Sequence, residues 1–247
     1  MKSRLITLLK MSLSTLLLAC GMARAQGVPI DDETLADVWG QALFTLDNTS
    51  VNGYDFSRIT INADIQLNAN LGGIKLGQYT YNGNTGADID ISRLSFGSLD
   101  GSATSRGTVS ITNPYIEFVY KGSDEATREV VGMRLGFGGI SGDVGLVMNS
   151  VSGSLLINAG SRGSIDSGND TTGQGKRWDG ATCGTASCAV NFAQISGVTA
   201  GNASGASRDF FLSILKSNVT FPAVNGVVTP EAMAGFWLNW RDRLTAR

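Results

Sequence analysis

The sequence contains no histidine. This absence excludes Ser-His-Asp and Cys-His catalytic groups and the common zinc sites that use an imidazole ligand. It also removes the side chain that most often acts as a general base near neutral pH. An enzyme that relies on carboxylates, lysine or tyrosine is still compatible with the sequence, but the composition favours a protein without catalytic activity.

Charged residues and proline are also scarce. Charged residues make up 16% of the chain, and there are only 4 prolines against 32 glycines. Low charge together with many Asn, Ser and Thr residues is typical of extracellular β proteins, whose turns need Gly and Asn. The apolar share of 42% is enough for a hydrophobic core. The composition therefore predicts a folded, mainly β protein.

The first 25 residues have the three parts of a secretory signal peptide. Basic residues precede a short apolar run, and small residues follow at Ala23 and Ala25, which predicts cleavage before Gln26. The apolar run is too short for a permanent transmembrane anchor. An alternative is a lipoprotein signal, in which Cys20 after Leu-Leu-Ala is lipidated. Either way, we expect an exported protein in the periplasm, in the outer membrane or at the cell surface.

The predicted exported chain, residues 26–247, is acidic and has the size of a single β-rich domain. Four of the 19 basic residues lie in the first 25 positions and none of the 21 acidic ones do, which leaves 15 basic against 21 acidic groups and a net charge of −6. A negative chain is not expected to bind nucleic acid.

Cys183 and Cys188 are the cysteines that remain after signal cleavage, and only four residues separate them. In an exported protein this spacing predicts a disulfide that closes a small loop. It lies within a polar, turn-rich stretch, residues 166–199, which we interpret as a surface loop held by the disulfide. A free or redox-active pair is the alternative.

The clearest strand pattern covers residues 58–71, RITINADIQLNANL. Apolar residues at the odd positions alternate with polar residues at the even positions without a break. This period of two predicts a long strand with its odd positions in the core. Further short alternating runs, separated by Gly and Ser, predict a long curved antiparallel sheet folded on itself, as a sandwich or a solenoid-like stack.

Two helices are predicted at the ends of this sheet. In residues 30–42, Asp31 or Asp32 can cap a short helix that places several apolar side chains on one face. Residues 229–245 begin with Thr-Pro-Glu and carry Phe236, Trp237 and Trp240 at helical spacing. We interpret the C-terminal amphipathic helix as packing on the sheet. The alternative is an exposed interface through these aromatic residues, including peripheral membrane contact.

The strongest candidates for cation binding are Asp88 and Asp90, which share a strand face beside a Gly/Asn turn. Carboxylates in such loops can bind Ca²⁺, and paired carboxylates can also serve a glycosidase. Neither EF-hand nor repeat-toxin spacing is present, and solvated aspartates on a strand face would have the same pattern. We therefore expect no cofactor and no catalytic residue.

Five segments resemble, in the same order, a family of exported bacterial pilus-system proteins described as FilA-like. They are IDDETLADVWGQA (30–42), ADIQLNAN (63–70), ADIDI (87–91), TNPYIEF (112–118) and ATREVVGMRL (126–135). The resemblance implies a role at the cell surface or in a fibre, and it carries no catalytic residues.

Together these observations predict a non-enzymatic exported protein of the cell envelope, a component or assembly factor of a surface filament. Its expected partners are other envelope or filament proteins or further copies of itself. The alternative is a periplasmic or outer-membrane-associated β protein that binds an apolar ligand or lipid.

Overall fold

The computed structural model describes residues 43–102, 107–122, 127–167, 195–223, 226–227 and 231–247. These residues are mainly β, which confirms the predicted fold class at that level. The strands are β1 (Phe44–Val51), β2 (Tyr54–Ile61), β3 (Asp64–Leu67), β4 (Ala69–Tyr81), β5 (Asn84–Phe96), β6 (Val109–Lys121), β7 (Glu129–Val151), β8 (Gly153–Asn158), β9 (Ser164–Asp166), β10 (Gly197–Ala200), β11 (Phe211–Leu215) and β12 (Gly235–Ala246).

The 23-residue strand β7 organises the sheet. Its first half lies between β6 and β11, and its second half lies between β5 and β10. Strand β12 pairs with both β11 and β10 and also lies parallel to β8. The sheet thereby folds on itself in a barrel-like arrangement. Glycines in β7 permit this path, and Gly142, with a φ of 125°, adopts a conformation that other residues rarely reach.

The main core lies beside the second half of β7. Side chains from β5, β7, β8, β10 and β12 converge there and are almost completely buried. Complete burial of one such aliphatic side chain stabilises the fold by about 1.5–3 kcal/mol. The core includes Ile89, Val144, Leu155, Val198 and Trp240.

A second, smaller cluster lies beside the first half of β7. Phe56 of β2 and Phe211 of β11 both contact Phe221, with ring centroids 5.7 and 5.1 Å apart respectively. Phe221 belongs to the chain segment that follows β11. This segment, residues 216–223, covers one face of the sheet and will be called the cover segment.

The prediction of one long strand over residues 58–71 is wrong in extent and in orientation. Strand β2 ends at Ile61, and the chain bends at Ala63, whose carbonyl accepts a hydrogen bond from the N–H of Asn113. Phe56 is 1% exposed, whereas Ile59 is 38% exposed. Because Phe56 occupies the core, the period of two places the odd positions on the opposite face.

The predicted C-terminal helix over residues 229–245 is also wrong, because Gly235–Ala246 forms β12. Trp240 and Leu244 both belong to the main core, because residues four apart on a strand share a face, whereas Trp237 belongs to the smaller cluster on the other face. Burial on both faces removed the alternation expected of a strand. The apolar residues of the two faces together produced a spacing that resembles a helix.

Several predictions lie outside the described residues. They are the signal peptide with Cys20, the helix over residues 30–42, and the pair Cys183 and Cys188 with most of its loop. These stay predictions.

Candidate functional site

The most unusual surface of the protein is an apolar sheet face that is open to solvent. Ile59, Ile116, Leu135 and Leu212 are consecutive cross-strand neighbours on β2, β6, β7 and β11. Cross-strand neighbours project from the same side of a sheet. We call the face that they share with adjoining apolar residues the apolar face. Its other members are Phe44, Leu46, Ile61, Phe118, Met133 and Ile214.

The side chains of the apolar face are large and accessible. Leu135 is 47% exposed and Ile214 is 43% exposed, and both are flanked by further half-buried apolar side chains. Single exposed apolar residues are common, but a contiguous apolar patch generally marks an interaction surface. This face can therefore bind a protein surface or a lipid by apolar contact.

A groove of approximately 540 Å³ lies at one end of the apolar face. Phe118, Met133, Ile214 and Phe236 line its apolar walls, and Asp88 and Lys216 also border it. The groove is open to solvent. Its volume is within the roughly 300–1,000 Å³ of small-molecule sites, so an apolar ligand can enter it.

The edge of the sheet beside the apolar face is unpaired in the described residues. Among the described strands, β1 pairs only with β2, and seven of its eight residues are exposed. Phe44 and Leu46 extend the apolar face onto this strand. An exposed edge strand offers backbone N–H and C=O groups to an additional strand.

The two candidate cation ligands, Asp88 and Asp90, serve different structural roles. The Asp88 carboxylate accepts a hydrogen bond from the N–H of Phe236 at 3.0 Å, which connects β5 to the beginning of β12. Asp90 pairs with Lys75 at 2.9 Å and accepts a hydrogen bond from Asn149. The Lys75 ammonium lowers the pKa of Asp90.

The structure gives these two carboxylates no common site. Asp88 borders the apolar groove, whereas Asp90 borders a separate cavity beside Lys75 and Tyr79. Within the described part of the chain, no three acidic or cysteine side chains are grouped as a metal site requires. The geometry therefore gives no support to a calcium site or to a catalytic carboxylate pair at Asp88 and Asp90.

The aromatic residues proposed for an interface are mostly inside the fold. Trp237 belongs to the smaller cluster, and Trp240 belongs to the main core, where its indole N–H donates to Ser207 at 2.9 Å. Phe236 is half-buried and lines the groove. Of the three, only Phe236 offers a surface to a partner.

A row of ionic side chains on the opposite face of the sheet was not predicted from the sequence. Glu117 of β6 pairs with Arg58 of β2 at 2.8 Å and with Arg134 of β7 at 2.5 Å. Arg134 is 0% exposed and Glu117 is 2% exposed. A signal was present for Glu117 and Arg134, because each lies inside an otherwise apolar strand at a position where a solvated charge is not expected.

Comparison with known proteins identified no relative: no family model, no curated protein and no solved structure matches the chain. No helix in the part of the chain that the structure describes is long and apolar enough to cross a membrane.

Proposed function

We propose that this chain is a non-enzymatic, exported cell-envelope protein that serves as a component or assembly factor of a surface filament. The apolar face carries the proposal. It provides a broad, rigid and solvent-accessible apolar surface on five adjoining strands. Covering such a surface with a protein partner removes apolar area from water, which is the main driving force of association.

The form of the apolar face favours a protein partner. Ile59, Leu135 and Leu212 are held on paired strands, so little conformational entropy is lost when they are covered. The edge of β1, which is unpaired among the residues that the structure describes, adds backbone hydrogen-bonding groups beside these side chains. A partner can therefore combine strand addition with apolar contact, which is a common mode of assembly among β proteins.

Export is the second part of the proposal, and it is supported by the sequence of residues 1–25. An epitope-tagged copy in the source bacterium tests both parts. We expect the mature protein, without its first 25 residues, in material sheared from the cell surface. Retention in the cytoplasm with the signal attached would refute the proposal.

The second candidate function is binding of an apolar ligand or lipid. The groove beside Phe118, Met133 and Phe236 favours it, because its walls are mainly apolar and its volume suits part of an acyl chain. Native mass spectrometry of protein purified from the periplasm distinguishes the two functions. Stoichiometric lipid on a monomer supports the ligand-binding role, whereas lipid-free protein in assemblies supports the filament role.

A further inference from the structure

The backbone of β1 directs half of its hydrogen-bonding groups away from the sheet. The N–H of Asn62 donates to the carbonyl of Leu43, so Leu43 is directed toward β2. In an antiparallel pair, residues directed toward the partner strand alternate with residues directed away from it. Counted from Leu43, the N–H and C=O groups of positions 44, 46, 48 and 50 therefore point away from β2. We call them the outward groups.

The turn after β1 leads independently to the same orientation. Asn52 and Gly53 have φ values of 52° and 77°, as a two-residue type I′ turn requires. In such a hairpin the residues that flank the turn form a hydrogen-bonded pair, and here they are Val51 and Tyr54. An odd position thus again faces β2, and the even positions face the open edge.

Side-chain hydrogen bonds hold β1 in place although most of it is exposed. The hydroxyl of Ser57 donates to Asn48 at 2.7 Å, and that of Ser50 donates to Asp55 at 2.6 Å. The pairing of β1 with β2 runs over all eight residues without a register shift. The outward groups are therefore already ordered, and a partner loses little conformational entropy when it binds them.

Strand β1 lacks the features that usually protect an edge strand. Its sequence, FTLDNTSV, contains no glycine, proline or lysine. By contrast β4, which pairs only with β5 among the described strands, carries Lys75 and two glycines with positive φ, Gly73 and Gly77. Charges and backbone irregularities of this kind obstruct the addition of a strand. Strand addition is therefore expected at β1 and not at β4.

Asp47 gives the open edge a negative charge. It is the one charged residue of β1, it is exposed, and it projects from the face opposite Leu46. Its cross-strand neighbour Arg58 belongs to the ionic row with Glu117 and Arg134, and pairs with Glu117 at 2.8 Å. The guanidinium of Arg58 is thus engaged on the side away from the edge. A basic side chain on an added strand would complement Asp47.

The same charge disfavours pairing of β1 with β1 of a second copy. When two such strands pair antiparallel over their full length, position 44 lies opposite position 50 and position 46 opposite position 48, so that all outward groups are used. Asp47 then lies opposite the same residue of the other copy, in a pair without hydrogen bonds whose Cα atoms are only about 4.5 Å apart. Like charges directly opposite each other are destabilising. The charge of β1 therefore favours a different, basic strand.

We propose that β1 binds an extended, basic segment of the assembly partner as one additional strand of the sheet. This inference rests on the assembly role proposed above and specifies the chemistry of the partner. The added strand forms backbone hydrogen bonds with the outward groups of β1. Its side chains beside Phe44 and Leu46 are apolar and extend the apolar face, and its side chain beside Asp47 is a lysine or an arginine.

A proline at position 46 tests the use of the outward groups. Because the N–H of Leu46 points away from β2, Leu46→Pro removes no hydrogen bond within the sheet, and proline is tolerated on an edge strand in this orientation. Leu46→Ala is the matched control, since it also removes the leucine side chain but keeps the N–H. In high-molecular-weight material sheared from the source cells, tagged Leu46→Pro should be recovered roughly fivefold less than tagged Leu46→Ala.

Urea unfolding of the purified variants tests the backbone orientation itself. Leu46→Pro and Leu46→Ala should unfold at the same midpoint, whereas Thr49→Pro, which removes an N–H that faces β2, should unfold at a lower urea concentration. A midpoint for Leu46→Pro as low as that of Thr49→Pro would overturn the assigned orientation and the proposal with it.

Substitution of Asp47 distinguishes a basic partner strand from a second copy of β1. Asp47→Asn should lower the fraction recovered in the sheared material, and Asp47→Lys should lower it further, because the partner's basic side chain loses its counter-charge and then meets a like charge. A higher recovery of Asp47→Asn would show that a second copy occupies the edge and would overturn the basic partner. Equal recovery of both variants and the wild type would also overturn it.

The wild-type result separates this inference from the assembly role. If wild-type protein is recovered in the sheared material and Leu46→Pro is recovered as well as Leu46→Ala, strand addition at β1 is overturned while the assembly role stands. If wild-type protein is absent from that material, both are overturned.

Discussion

At the residue scale, two surface lysines each lower the pKa of one carboxylate. Lys75 donates to Asp90 at 2.9 Å, and Lys216 donates to Glu129 at 2.6 Å. In each pair the hydrogen bond from the lysine is the main cause of a lowered carboxylate pKa. A lowered folded-state pKa contributes stability above the unfolded-state pKa, and that contribution is lost as pH falls through the folded value.

The two lysines provide matched controls for each other. Lys75→Met should raise the pKa of Asp90 and leave that of Glu129 unchanged, because the hydrogen bond and the nearby charge are both removed at Asp90 alone. Lys216→Met should have the converse effect. Carboxyl ¹³C chemical shifts followed from neutral to acidic pH measure both values. A pKa of Asp90 that does not move in Lys75→Met would contradict the assigned cause.

Cys183 and Cys188 provide a second prediction at this scale. If they are bonded, the intact mass of the protein under non-reducing conditions is lower than that of the reduced protein by two hydrogens. The loop that this disulfide would close is short. Removal of the disulfide should therefore destabilise the fold by less than the roughly 3 kcal/mol expected for a disulfide that closes a 15-residue loop. Alkylation of both thiols without prior reduction would contradict the disulfide.

The sequence alone could identify individual strands but not every buried residue. The aspartates at 88 and 90 were visible as a pair on one strand face, yet their separate partners, Phe236 and Lys75, come from elsewhere in the chain. Arg58 and Arg134 were not recognised because their common partner, Glu117, lies on a third strand. Such pairings depend on strand order, which local patterns do not contain.

At the element scale, β2 shows why a clear alternation can be assigned to the wrong face. Both faces of this strand carry apolar residues, because Phe56 enters the smaller cluster while Ile59 belongs to the apolar face. Alternation identifies two faces but does not say which one is buried when an exposed face is also apolar.

A pair of substitutions tests this assignment. Phe56→Ala removes a buried ring that contacts Phe221 and should lower the free energy of unfolding by about 3–5 kcal/mol. Ile59→Ala, on the accessible face, should lower it by less than about 1 kcal/mol. Urea denaturation measures both effects. Equal losses from the two variants would show that β2 is buried on both faces.

Close packing of backbones around β7 provides a further test at this scale. A side chain at Gly145 would approach the carbonyl oxygens of Ser98 and Leu99 at 2.6 Å, so Gly145→Ala should destabilise the protein by roughly 1–3 kcal/mol. Gly72→Ala on β4 is the control, since its nearest neighbour is at 3.6 Å. Equal unfolding midpoints for the two variants would contradict the tight contact at Gly145.

At the scale of the whole molecule, the two halves of β7 connect regions with different roles. The second half lies beside the main core, to which it contributes Val144, Leu146 and Met148. The first half carries the ionic row on one face and the apolar face on the other. The mainly β class followed from composition and alternation. The barrel-like path depended on long-range pairings and on β12, whose strand pattern was hidden by burial on both faces.

The central claim is that the apolar face binds a partner in a surface assembly. Leu135→Glu combined with Ile214→Glu places two charges at the centre of that face. Both positions are nearly half exposed, so the free energy of unfolding should change by less than about 1 kcal/mol. Leu71→Glu combined with Tyr79→Glu adds the same charge at exposed apolar positions of β4 and serves as the control.

The decisive measurement is the fraction of each tagged protein recovered in high-molecular-weight material sheared from the surface of the source cells. We predict that the wild-type protein and the β4 control are recovered there, and that the variant with Leu135→Glu and Ile214→Glu is exported and folded but remains unassembled. Recovery of that variant in the assembled fraction at the wild-type level would contradict the account.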